Sequence, residues 1–328
     1  MITRTLGRTG RTVSVIGLGT WQLGADWGDV DAAAARAILD AAVASGITFF
    51  DTADVYGDGQ SEKFIGSYLA DNPGHGITVA TKMGRREAQL AENFTLAKFR
   101  EWNDRSRRNL GVDTLDLVQL HCPPTAVLST AAVYDALDTL VADQAIAAYG
   151  VSVETVEEAL VAIAHPNVAS VQIILNAFRL KPLDEVLPAA IAAGVGIIAR
   201  VPLASGLLSG RYRADTTFAA NDHRTFNRDG SAFDVGETFS GVDFAAGVAA
   251  AQEFAAIAAK TGLSTPQAAL AWVAQLSGVS AVIPGARSVE QAASNAQAGV
   301  AEPLSTEFTT GVTELYDRYF RAAIHPRW

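Results

Sequence analysis

The sequence predicts a single-domain (β/α)8 barrel over residues 1–328, and three observations carry that expectation. Eight short apolar runs recur along the chain, helix-length amphipathic stretches lie between them, and 328 residues suit a barrel built around one core. The runs are VSVIGLG at 13–19, ITFFDT at 47–52, ITVATK at 77–82, LDLVQLH at 115–121, AIAAYGVS at 145–152, VASVQIILN at 168–176, VGIIARVP at 195–202 and VSAVIPG at 279–285. Their apolar residues are consecutive rather than alternating, as parallel strands covered on both faces require. Between them, DAAAARAILDAAVAS, TLAKFREWNDRSRRNL, TAAVYDALDTLVAD and LDEVLPAAIAAG read as amphipathic helices. Strands alternating with helices favour the barrel over an open doubly wound sheet.

Two stretches stand outside the repeat. TRTLGRTGRTVS at the amino terminus reads as a β-hairpin capping the barrel bottom. Residues 205–247, after the seventh run, form a connection too long for a compact domain unless it works as a lid or binding loop. The uncharged stretch 261–286 is long enough to span a bilayer, but it divides into a helix pattern, QAALAWVAQL, and a short strand, SAVIPG. The first residues lack the apolar segment of a signal peptide.

Composition narrows the function classes. Hydrophobic residues make up 49% and charged residues 18%, which excludes a disordered chain. A net charge of −10 disfavours nucleic acid and anionic membrane as partners. A single cysteine, Cys122, rules out an intrachain disulfide and fits a cytoplasmic protein.

In a barrel the chemistry gathers at the carboxyl ends of the strands, so the residues ending each run are the candidates. The second run ends in Asp51, with Tyr56 following in the DTADVYG turn; the third ends in Lys82 and the fourth in His121. An Asp51–Lys82 ion pair beside Tyr56 is expected to stabilise phenolate and lower the phenol's pKa from about 10. Tyr56 would then act as a general acid toward a carbonyl oxygen, with His121 orienting it. Each residue alone has a blander reading: a structural ion pair, a surface tyrosine, a satisfied rim histidine. Their arrival at consecutive strand ends favours catalysis. The other histidines show no ligand spacing, so no metal site is expected.

These motifs carry a family resemblance. DTADVYG, ATK and QLH resemble, in order and spacing, the tetrad of the aldo-keto reductases. RTLGRTGRTVSVIGLGTWQLG resembles the family's amino-terminal hairpin and first strand, while VPLASGLLSG and IPGARS resemble its cofactor loops. The resemblance implies Tyr56 as proton donor, with Asp51, Lys82 and His121 completing the set and Asp51 also bordering the cofactor. It sets Gly19 and Thr20 beside a nicotinamide cofactor, and Trp21, Tyr56 and His121 around the substrate. Ser152 and Gln172 are implied to bind the carboxamide, and Leu203, Ser205, Gly206 and Leu207 the pyrophosphate. Gly285, Ala286, Arg287, Gln291 and Asn295 are implied to hold the adenosine and its 2′-phosphate.

Two positions depart from the family's pattern: Val153 stands where Asn is frequent, and Arg200 where a ring-stacking Tyr is frequent. A planar guanidinium can also lie on an aromatic ring. GLGTWQLG is not a dinucleotide fingerprint, since its third glycine comes too late. Arg287, beside a helix that begins near Ser288, suits a phosphate dianion and favours NADPH, although it also reads as a solvated surface charge. One obvious cation leaves NADH use open.

The implied activity is reduction of an aldehyde or ketone, sugars and keto-sugars among them, or the reverse alcohol oxidation. The rivals are a cofactor-binding regulatory subunit like channel-associated relatives, and a metal-using sugar isomerase or lyase. Trp27 is a further candidate for the cleft border. In the long loop, Asp215, Asp222, His223, Arg224 and Asp229 read as lid contacts or as solvated charges. No motif specifies the substrate or the oligomeric state.

Overall fold

Side chains alternate between the two faces of a strand, and in this chain that alternation sorts lumen from shell. In a computed structural model that describes residues 1–24 and 30–328, eight parallel strands pair in sequence order. They are β3 (Leu18–Gly19), β4 (Phe49–Asp51), β5 (Thr78–Met83), β6 (Leu117–His121), β7 (Tyr149–Ser152), β8 (Ser170–Ile174), β9 (Gly196–Arg200) and β10 (Val279–Val282). Parallel bridges Ile16–Val282 and Gly19–Gly285 join the last strand to the first. The Gly17 N–H donates to the Val282 carbonyl at 2.8 Å and the Gly19 N–H to that of Pro284 at 3.0 Å, closing the ring.

Phe49, Ala80, Leu117, Ile198 and Ala281 face the lumen, where they meet Leu6 and Val13. Their neighbours Phe50, Val79, Val118, Ile197 and Val282 belong instead to the large core shared with the helices. Leu6 and Val13 come from the amino-terminal hairpin, in which β1 (Thr3–Thr5) pairs antiparallel with β2 (Thr12–Ser14). The hairpin therefore plugs the bottom, as the sequence suggests. The expected first strand over 13–19 divides: residues up to Ser14 pair with β1, Ile16 makes a single bridge to β10, and Leu18–Gly19 pair with β4.

Helices cover the sheet and start on local signals. Asp31 caps Ala32–Ala44 by accepting from the Ala34 N–H at 2.7 Å. Thr155 and Glu158 form a reciprocal capping box at Val156–Ala164. The uncharged stretch 261–286 becomes helix Thr265–Gln275 followed by β10. Among the described residues no helix is long and apolar enough to cross a membrane. Trp27 lies outside the described residues.

The connection after β9 is no open loop. It contains helix His223–Phe226 and single turns at Val235–Glu237 and Phe239–Gly241. Ser205 staples it to the barrel mouth: its hydroxyl donates to the Glu237 carbonyl at 2.9 Å and accepts from the Phe239 N–H at 3.0 Å. Asn176 adds a bond to Ser240 Oγ at 2.7 Å.

Candidate active site

Counting in steps of two from the lumen residues gives the functional positions directly. Asp51 follows Phe49, Lys82 follows Ala80, Gln119 and His121 follow Leu117, and Arg200 follows Ile198, all on the inward face at the carboxyl ends. Lys82 and Asp51 form a buried ion pair. Lys82 Nζ also donates to the Thr52 carbonyl at 3.0 Å and approaches the Tyr56 hydroxyl at 3.4 Å. The second Asp51 oxygen accepts from Gln172 Nε2 at 2.8 Å and Gln119 Nε2 at 3.1 Å. A buried charge pair is tolerated when its remaining donors and acceptors are satisfied in this way. Although burial acts to lower it, Lys82 is carried above its ordinary value by Asp51 and Tyr56 and stays charged.

Tyr56 is delivered by the turn after β4, where the Asp54 N–H donates to the Lys82 carbonyl at 3.1 Å. A turn of Trp21–Gly24 presses on it so closely that a side chain at Gly24 would sit 2.7 Å from the Gly57 nitrogen. The Trp21 ring stacks on Tyr56 at 6.1 Å, and His121 meets Tyr56 edge-on at 6.0 Å. One expectation is corrected here. The phenol is not acidified: burial, with the Asp51 and Glu237 carboxylates, outweighs the Lys82 ammonium and holds Tyr56 above its ordinary value. Lys82 is engaged chiefly by Asp51, so little of its charge is left for a phenolate. His121 is buried, and its Nδ1 has no hydrogen-bond partner among the described residues. Burial and the nearby Arg85, Lys82 and Arg200 hold its pKa far below the ordinary value, so it is neutral.

A cleft of about 660 Å³ runs from Tyr56 and His121 to Arg287. Gly19, Thr20, Trp21, Asp51, Gln172, Arg200, Leu203, Ser205, Gly206, Gly285, Gln291 and Asn295 line it as well. Lys82, Ser152, Leu207 and Ala286 sit behind the wall, each nearly inaccessible. Successive positive φ angles at Ala204, Ser205 and Gly206 turn the main chain of the 201–210 loop around the cleft. Gly206 carries a φ of +96°, a backbone conformation that favours glycine. At the far end Ser288 caps helix Val289–Gln297, and Arg287 beside it is exposed. Arg211, Tyr212 and Arg224 from the long connection reach the same cleft, so Arg287 is not its sole cation.

Arg200 is oriented by ion pairs rather than left free to lie on a ring. Its guanidinium reaches Glu154 at 2.9 Å, Glu237 at 2.7 Å and the Val153 carbonyl at 2.9 Å. Arg85 extends this network to Glu154 at 3.1 Å. Cys122 lies 3.4 Å from Ser152 Oγ, and burial pushes its thiol up to about 12. A second cavity, about 580 Å³, opens beyond Tyr56 and His121 and is lined by Arg85, Phe233, Asp234 and Glu237. Trp21, Tyr56, His121 and Glu237 border both cavities. A groove of about 820 Å³ between helices Phe244–Ala259 and Thr306–Tyr319 holds none of these residues.

Gln119, Arg85, Glu154 and Glu237 were not among the sequence candidates. The first three lie within a few residues of strand ends, where the barrel rule could have found them. Glu237, deep in the long connection, gives no such signal.

Comparison with known proteins places the fold in a family. The Aldo/keto reductase family model matches residues 15–317. An uncharacterized oxidoreductase of Mycobacterium tuberculosis is 33% identical over 309 residues, covering 92% of this chain and 89% of that one. The crystal structure of an aldo-keto reductase from Klebsiella pneumoniae in complex with NADPH superposes with a TM-score of 0.71 at 25% identity, covering 96% of both chains. A glycerol dehydrogenase from Gluconobacter oxydans superposes with a TM-score of 0.79 at 28% identity, over 99% of this chain and 98% of that one. The chain belongs to the aldo/keto reductase family.

Proposed function

We propose that this protein is an NADPH-dependent oxidoreductase that reduces an aldehyde or ketone to an alcohol, or runs the reverse oxidation. The observation that carries this reading is the convergence of Tyr56, Lys82, Asp51 and His121 at one end of a cleft whose other end carries Arg287.

The residues present fit a dinucleotide. Main chain turned through positive φ at 204–206 can bring N–H groups toward phosphate oxygens, as small residues in such loops allow. Arg287 beside the capped helix start suits a 2′-phosphate, and the Klebsiella relative in its NADPH complex makes the same cofactor the natural choice. Gly19, Thr20, Gln172 and Arg200 would border the nicotinamide, and Leu203, Ser205 and Gly206 the pyrophosphate. Gly285, Gln291 and Asn295 would border the adenosine. A reduced nicotinamide bound there supplies hydride to the carbonyl carbon.

The protein's own part is orientation and the proton. Tyr56, protonated throughout the neutral range, donates its hydroxyl hydrogen to the carbonyl oxygen as negative charge grows there. Lys82 donates to the phenol oxygen and compensates the charge left on it; Asp51 keeps that ammonium in place. Neutral His121 presents a ring nitrogen at the same spot and fixes the carbonyl's direction without competing as an acid. Trp21 stacked on Tyr56 walls the pocket and excludes water.

Loss of the NADPH absorbance band on mixing the protein with a panel of aldehydes and ketones tests this reading. The expected result is consumption with at least one carbonyl and protection of the protein against thermal unfolding by NADPH. Protection without consumption across the panel would support the regulatory-subunit reading instead.

A further inference from the structure

The cavity beyond Tyr56 and His121 is not the apolar funnel that a general carbonyl reductase could use. Trp21 and Phe233, whose ring centroids are 6.2 Å apart, line it together with Arg85 and Glu237. Arg85 Nη1 and Glu237 Oε1 are 3.9 Å apart, too far for a hydrogen bond. Both side chains are otherwise anchored, Arg85 by Glu154 at 3.1 Å and Glu237 by Arg200 at 2.7 Å, so neither can swing across to close the gap. A donor and an acceptor therefore line one space beside Tyr56, and Glu237 borders the cofactor cleft as well.

We infer that Arg85 and Glu237 form a substrate-selecting pair that grips a hydroxyl group, so the preferred substrate is a neutral, hydroxylated aldehyde or ketone. This rests on the carbonyl-reducing function proposed above. A hydroxyl carries one donor hydrogen and two lone pairs. Seated beside the pair on the cavity side, it can donate to Glu237 and accept from Arg85 at once through two charge-assisted hydrogen bonds. An alkyl chain in the same place strips water from both groups and returns nothing. A carboxylate fares worse: Arg85 is already shared with Glu154, and the incoming anion enters a cavity also lined by Glu237 and Asp234. The Trp21 and Phe233 faces then cover the carbon skeleton.

Steady-state kcat/KM with NADPH, measured for glyceraldehyde, propanal and glyoxylate, tests the inference in the wild type, Glu237→Gln and Arg85→Gln. Glyceraldehyde is expected to exceed propanal by roughly tenfold or more in the wild type, mainly through KM, with glyoxylate the poorest. In both variants the glyceraldehyde-to-propanal ratio is expected to shrink to within about threefold. Should Glu237→Gln disturb folding because Arg200 loses its partner, Arg85→Gln, which leaves that pair intact, decides the matter. Equal use of glyceraldehyde and propanal by the wild type, a ratio unchanged in the variants, or preference for glyoxylate would overturn it. Absence of NADPH consumption with all three would instead bring down the carbonyl-reducing function itself, an outcome distinct from indiscriminate turnover.

Discussion

The barrel rim is built in two ways, and the contrast between them explains what this chain reveals early and what it hides. At β4 to β6 the groups clustered around Lys82 are fixed by strand parity: Asp51, Lys82, Gln119 and His121 point inward because they lie two or four positions from a lumen residue. At β9 the rim is finished by the connection 205–247, whose Tyr212, Arg224 and Glu237 reach the cleft while Ser205 and Asn176 tie the connection to the barrel mouth. Sheet positions support the proposed acid, and the stapled connection brings Tyr212, Arg224 and Glu237 beside the proposed cofactor and substrate space. Such a division lets selectivity vary without disturbing the catalytic geometry.

The contrast sets how much the sequence could disclose. Eight strands appear where the apolar runs lie, because burial on both faces leaves a continuous signal. The first run is the exception, since the hairpin and the barrel draw on adjoining residues. Tyr56, Asp51, Lys82 and His121 were legible from the rule that barrel chemistry sits at strand ends. The sense of the Tyr56 shift was not, because it depends on burial and on Glu237, which arrives from nearly two hundred residues away. The ion pairs that hold Arg200, a residue whose sequence position suggests a guanidinium lying on the cofactor ring, are hidden for the same reason: its partners Glu154 and Glu237 come together only in the fold.

If the strand-built side is the rigid one, damage there should cost most. Asp51→Ala leaves the Lys82 ammonium buried without its partner and is expected to destabilise the protein by about 3–5 kcal/mol, read by urea denaturation. Carbonyl reduction should be lost in the same variant. On the loop-and-helix side, Arg287→Ala is expected to raise KM for NADPH by about tenfold while changing that for NADH far less. Equal effects on both would remove the 2′-phosphate from the account. Ser205→Ala, which cuts the staple without touching Tyr56, is expected to cost about 1 kcal/mol and raise the cofactor KM more than it lowers kcat. A fall in kcat alone would mean that the two sides are not separable.

The smallest effect concerns pH. His121 has a folded pKa depressed far below its unfolded value, so the unfolded chain binds a proton near pH ~6.5 that the folded one refuses. Stability is therefore expected to decline as pH drops below about 6.5, with no contribution from this group above it. The kcat/KM profile should show no histidine step between pH ~6 and ~8, and reduction should persist to pH ~10, since Tyr56 is held above its ordinary value.

The central claim is that the Tyr56 hydroxyl supplies the proton. Tyr56→Phe removes that oxygen and little else, so single-turnover NADPH oxidation with a reducible aldehyde, alongside NADPH binding on the same preparation, addresses it most directly. The rate is expected to fall by about 10²–10⁴ with cofactor affinity nearly preserved. Undiminished turnover in Tyr56→Phe would contradict it.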